Sequence, residues 1–180
     1  FQSYLGRRDL KGNKTSNNWE GWSVRNGSND RSKLAFRFLS NDGSSSANRQ
    51  IETNNSVLSA SEWLHVVVTH DGSGDFTTGT SEIYVNGTAQ GTTLNSTTGD
   101  PGNDTLLSDS VASHQPFAVG ERKEFESGAV AGKIDELGVW NRVLTSHEVS
   151  VLYRSCRGVS MSTVAMPALA SLTPLGLAGL

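Results

Sequence analysis

Cysteine is almost missing from this chain, Cys156 standing alone among 180 residues. A single thiol excludes an internal disulfide and any zinc site built on cysteines, and it leaves the redox compartment open. Its simplest role is that of a small apolar residue near the end of the domain. Charge is sparse as well, with 18% Asp, Glu, Lys and Arg and a formal net charge of −3. No basic stripe runs along the chain, so nucleic acid is excluded as an expected partner. His70, His114 and His147 show no metal-ligand spacing of the H-x-x-x-H kind. Proline occurs four times, whereas glycine occurs 19 times amid abundant Ser, Thr and Asn. That composition suits many turns joining short strands.

Strand-like runs recur at short spacing: Phe1 to Arg7, Gly21 to Val24, Leu34 to Leu39 and Arg49 to Thr53. In Leu34 to Leu39, Leu34, Phe36 and Phe38 share one face. The strongest run is Trp63 to His70, where Leu64, Val66 and Val68 fall on one face and His65, Val67 and Thr69 on the other. Ser81 to Val85 follows, with Ile83 and Val85 together and Tyr84 opposite, and it ends in Asn86-Gly87, a pair suited to a two-residue hairpin. Thr88 to Thr92, Phe117 to Gly120 and Lys133 to Trp140 complete the expected set, with a long Asn/Thr/Asp/Gly loop from Thr93 to Gln115. One helix is expected late in the chain, opened by a capping box between Thr145 and Glu148, with Val149, Leu152 and Tyr153 at helical spacing. Many short strands and one late helix read as an all-β sandwich; periodicity alone leaves jelly roll, immunoglobulin-like and barrel forms open.

Three segments narrow that choice. Trp63-Leu64-His65-Val66-Val67-Val68-Thr69-His70-Asp71-Gly72 resembles the W-x-H-V-A-V-T-x-D-G strand of laminin-G-like domains in the concanavalin superfamily. Ile83-Tyr84-Val85-Asn86-Gly87 resembles the L-Y-V-N-G strand that follows it, and Gly132 to Leu144 resembles the closing G-x-I-D-E-V-R-I-Y-N-R-A-L segment. Phe117-Ala118-Val119-Gly120 fits the family's x-I-G strand. The resemblance spans about Phe1 to Tyr153 and implies a two-sheet antiparallel jelly-roll sandwich with one short C-terminal helix. It also implies one or two further strands upstream of Phe1, pairing with the closing segment.

The domain is expected over residues 1–157, followed by an apolar tail over 158–180. From Val164 to Leu180 the tail carries no charge, and Arg154 and Arg157 precede it. It reads as the start of a membrane anchor or sorting signal, the one expected route to a membrane. The resemblance implies a structural Ca²⁺ held through Asp135, a hard cation needing several oxygens; the plainer role of Asp135 is to accept backbone N–H bonds. Asp71 and Asp75 form a second acidic pair that turn chemistry explains.

Glycan sites combine an aromatic platform with amides and carboxylates. Trp19, in the stretch Asn17-Asn18-Trp19-Glu20-Gly21-Trp22, and Tyr84 are the candidate ligand-binding residues. Trp22, Trp63 and Trp140 are expected to pack, and His65 to be structural. Sequons occur at Asn13, Asn26, Asn54, Asn86, Asn95 and Asn103, and they carry glycans only in a eukaryotic secretory host. The superfamily includes glucanases, which place two carboxyls on one strand as E-x-D-x-E, and retaining hydrolysis needs such a pair. No such strand occurs, and Glu121, Glu124 and Glu126 lie in a charged stretch without the intervening Asp. The expected protein is therefore a non-catalytic module, extracellular or at the cell surface, that binds a polysaccharide, glycoprotein glycan or matrix. A ligand-free structural spacer is the alternative, and a glycoside hydrolase accessory or degenerate glucanase-like domain stands last.

Overall fold

The computed structural model describes residues 3–10, 19–41, 46–72, 80–98, 117–120 and 129–154. Alternation organises these segments into two antiparallel sheets. The larger contains β1 (Ser3–Leu10), β2 (Trp19–Asn26), β3 (Leu34–Asn41), β4 (Ser46–Thr53), β8 (Thr92–Thr98) and β9 (Ala118–Val119), in the order β8-β4-β3-β2-β1-β9. The smaller contains β5 (Val66–His70), β6 (Ser81–Val85) and β7 (Thr88–Ala89), in that order. In register, Val24 stands opposite Phe36 and Phe36 opposite Ile51. These residues, with Leu34 and Phe38, form a buried cluster with Ile83 and Val85 of the smaller sheet, so the core lies between the two sheets. Leu64, Val66, Val68 and Trp22 pack against it from its margins.

The opposite face of the smaller sheet has its own cover. Val67 and Tyr84 are buried with Leu144 and Val149, and Trp140 and Leu152 pack on this second cluster. Leu144 and Val149 are brought there by helix α1 (Ser146–Arg154) and its approach. Its N-terminus carries the expected capping box, in which Thr145 N–H donates to Glu148 Oε2 at 2.8 Å and Glu148 N–H to Thr145 Oγ1 at 3.2 Å. The Asn86-Gly87 hairpin is also as expected, with φ of 51° and 76° at the two central residues. A Cβ at Gly87 would stand 2.9 Å from the Tyr153 ring, so glycine serves both the turn and the docking of the helix.

Several expectations are corrected. Among the described residues, 133–140 join no ladder, and Ile134, Leu137 and Val139 are 42%, 46% and 70% exposed. Strand-forming side chains make a strand only where a neighbouring edge supplies hydrogen bonds, and Glu136 at a φ of 51° interrupts the extended backbone here. The Trp63 run enters its ladder only at Val66, which leaves Trp63 66% exposed rather than packed. The strand expected at Thr88 to Thr92 is divided into β7 and β8, and β8 takes in the first residues of the expected long loop. The remainder of that loop, Cys156, the Glu121–Glu126 stretch and the apolar tail lie outside the described residues. Among the described residues, no helix is long and apolar enough to cross a membrane.

Candidate functional site

The larger sheet has a second face, built by the residues that alternate with its core positions. Arg25 stands opposite Ala35, and Ala35 opposite Glu52; Ser23 stands opposite Arg37, and Arg37 opposite Gln50. Small residues at Ser23 and Ala35 leave the long polar side chains of neighbouring strands free to meet. The Arg25 guanidinium donates to Gln50 Oε1, and also to Ser28 Oγ at 3.0 Å. Gln50 Nε2 donates to Ser28 Oγ at 2.9 Å and to Glu52 Oε2 at 3.1 Å. That same carboxylate oxygen accepts the Ser28 N–H at 3.1 Å and Asn95 Nδ2 at 2.7 Å.

Three strands and the β2–β3 turn thus converge on a guanidinium, a carboxamide and a carboxylate that are each no more than 5% exposed. The turn can approach so closely because residue 27 is glycine; a Cβ there would meet Glu52 Oε1 at 2.6 Å. Asn95 reaches Glu52 because the β4–β8 register shifts between Gln50 and Ile51 and inserts an extra residue into β8. The network is rimmed on β8 by exposed Thr93 and Asn95. Chemically it is a set of polar groups bonded to one another around a single carboxylate, with Thr93 and Asn95 at its exposed edge as the groups open to a hydroxyl-bearing ligand.

Trp19 opens β2, in register with Leu10 of β1, and falls an even number of residues from Ser23 and Arg25. Its side chain lies outside the described parts of the strand. Tyr84 is 5% exposed in the cluster beneath the helix. Its hydroxyl donates to Glu82 Oε2 at 2.5 Å, and burial, together with that acceptor, pushes the phenol up to about 12. The structure therefore separates the two candidate aromatics onto different sheets. Asp135 is exposed, and its Oδ1 accepts the Glu136 N–H at 2.8 Å. Calcium takes about six to eight oxygens, and among the described residues no group of three Asp, Glu, His or Cys side chains is placed to hold a metal.

His65 has its Nδ1 buried with no hydrogen-bond partner among the described residues. Its ring packs 5.8 Å from that of Tyr153, and burial holds its pKa below the ordinary value against the opposing charge of Glu136. His70 Nδ1 lies 2.8 Å from Ser81 Oγ, but Ser81 is 1% exposed, so this hydroxyl is closed to any substrate. Arg25, Gln50 and Glu52 are not among the candidates that the sequence offers, and Asn95 is among them only as a sequon. The signal was present in the alternation of Arg49 to Thr53, where Gln50 and Glu52 flank the core residue Ile51.

A laminin-G-type family model, described as the concanavalin A-like lectin/glucanases superfamily, matches residues 4–150. The chain belongs to this superfamily. No curated protein and no solved structure matches it. Membership agrees with the two-sheet antiparallel sandwich and its short helix. The superfamily's description spans lectins and glucanases, so it supports a carbohydrate-binding or structural module in general terms and names no ligand.

Proposed function

We propose that this chain is a non-catalytic carbohydrate-binding module of an exported protein, with the polar face of the larger sheet as its glycan-contacting surface. The observation that carries the reading is the hydrogen-bonded set of Arg25, Gln50, Glu52, Ser28 and Asn95 on the face turned away from the core. Hydroxyl-rich ligands are recognised by such groups when their positions are fixed in advance. Trp19, at the start of β2, is the aromatic residue that the sequence offers as a ligand-binding candidate. The non-catalytic part of the reading is supported by the sequence, which has no E-x-D-x-E strand of the kind that would supply the paired carboxyls of retaining hydrolysis. A spacer without ligand is the second reading, favoured by the burial of Arg25, Gln50 and Glu52, whose bonds are made within the protein.

The experiment is a glycan array together with pull-down on insoluble polysaccharides, using the whole chain and its Trp19→Ala variant. Binding that falls at least tenfold on Trp19→Ala, with an unchanged melting curve, supports the module. Failure to bind any glycan or matrix polysaccharide overturns it in favour of the spacer. Release of reducing sugar would overturn the non-catalytic assignment.

A further inference from the structure

The six sequons are left unused by the proposed site, and the fold treats the four described ones very differently. Asn26 is 3% exposed within β2, where a glycan has no room. Asn86 sits in the left-handed turn at a φ of 51°, and its Oδ1 accepts the His65 N–H at 3.0 Å. The Nδ2 of Asn95 is committed to Glu52 at 2.7 Å. Asn13 and Asn103 lie outside the described residues.

Asn54 differs on each count. It is exposed in the turn that follows β4. Its backbone N–H donates to the Gly91 carbonyl at 2.8 Å, and its Oδ1 accepts Thr93 Oγ1 at 2.6 Å. These two bonds hold the residue without using Nδ2, which meets no hydrogen-bond partner among the described residues. A Cβ at position 91 would stand 2.9 Å from Nδ2, so glycine there keeps the nitrogen clear. Ser56, the hydroxyl residue of the same sequon, is also exposed.

We infer that Asn54 is an N-linked glycan attachment site, the described sequon whose modification costs the fold no contact. In the reaction Nδ2 attacks C1 of a sugar carried on a polyprenyl-linked pyrophosphate. The Nδ2–C1 bond forms, the bond from C1 to the pyrophosphate oxygen breaks, and the pyrophosphate leaves with the electron pair. One Nδ2 proton passes to a base of the transferase. The product keeps Oδ1 as a carbonyl, so the Thr93 bond survives. The β-ladder also places Asn54 at the end of the polar face opposite Trp19, since β4 runs in the same direction as β2.

The inference rests on the exported reading, because the lipid-linked donor is met in the secretory lumen. Its test is the whole chain secreted from a eukaryotic line, digested with an amidase that converts glycosylated Asn to Asp, and read by mass spectrometry. The expected result is conversion at Asn54 and none at Asn26 or Asn86. Asn54→Gln removes one glycan step on a gel with an unchanged melting curve, and Ser56→Thr retains it. Unconverted Asn54 in the folded secreted protein overturns the inference. Polysaccharide binding is measured separately on the same material, so failure of the site and failure of the binding module are told apart.

Discussion

Glu148 is the residue through which the late helix is fastened, and its removal can be worked out from its contacts. Its carboxylate accepts from Thr145 N–H and Oγ1 at 2.8 and 3.0 Å, and from the two terminal nitrogens of Arg142 at 2.7 and 2.9 Å. The Arg142 bonds, followed by those from Thr145, hold its pKa down from 4.5 to about 2. In an unscreened medium that displacement corresponds to about 3 kcal/mol. Arg142 is 42% exposed, however, and water and salt weaken the pair. With the cap included, we expect Glu148→Ala to cost about 1–2 kcal/mol at pH 7. Glu148→Gln keeps an acceptor for the cap and loses only the charge, so it should cost less. Because the folded pKa lies below the unfolded one, the charge contribution is complete above about 4.5. It is lost as pH falls towards 2. Urea titrations from pH 7 to pH 2.5 are the assay. Wild type and Glu148→Gln should differ at pH 7, and the difference should shrink steadily from about pH 4.5 down to pH 2.5. Parallel midpoints across the whole range would refute the reasoning.

Two further outcomes follow from the same kind of accounting. Glu52→Ala should destabilise the domain by about 2–4 kcal/mol, since the Ser28 N–H, Gln50 Nε2 and Asn95 Nδ2 lose an acceptor in a buried setting; a chemical-denaturation midpoint unchanged from wild type would contradict the network. His65 is held neutral by burial, so its contribution is present above pH 6.5 and lost as pH falls through its depressed value. His65→Phe should therefore flatten the decline in urea midpoint between pH 7.5 and 5. His70, also lowered by burial, acts in both proteins and cancels in the comparison; identical slopes would rule out the role given to His65.

What could be read from sequence was whatever depends on near neighbours. The alternation of Leu34, Phe36 and Phe38, the opposition of Tyr84 to Ile83 and Val85, the Asn86-Gly87 turn and the Thr145–Glu148 cap are all local, and the structure has each of them. The misreadings concern partners distant in the chain. Ile134, Leu137 and Val139 have strand-forming side chains, but whether another edge meets them is not written in those residues. Trp63 falls inside a strand of the family that the sequence resembles and is expected to pack on that ground, yet the ladder starts three residues later. The candidate site was half legible. Alternation places Gln50 and Glu52 away from the core, but their meeting with Arg25, Ser28 and Asn95 needs the strand order and the β8 register shift.

The same network that supports a binding role also limits how binding can occur. Arg25, Gln50 and Glu52 are buried and engaged with each other, so a ligand that recruited them would first have to break bonds worth about 1 kcal/mol or more each. On the proposed reading, recognition at this face is therefore better served by groups with exposed surface, Thr93 and Asn95 on β8. The buried trio then acts as a floor that fixes the strands from which those groups project. Rim and floor should respond differently to substitution. A rim change such as Thr93→Ala alters ligand affinity before stability, whereas a floor change such as Gln50→Leu alters stability first and affinity only as a consequence. A spacer without ligand has no such division, because every effect at this face would be an effect on folding.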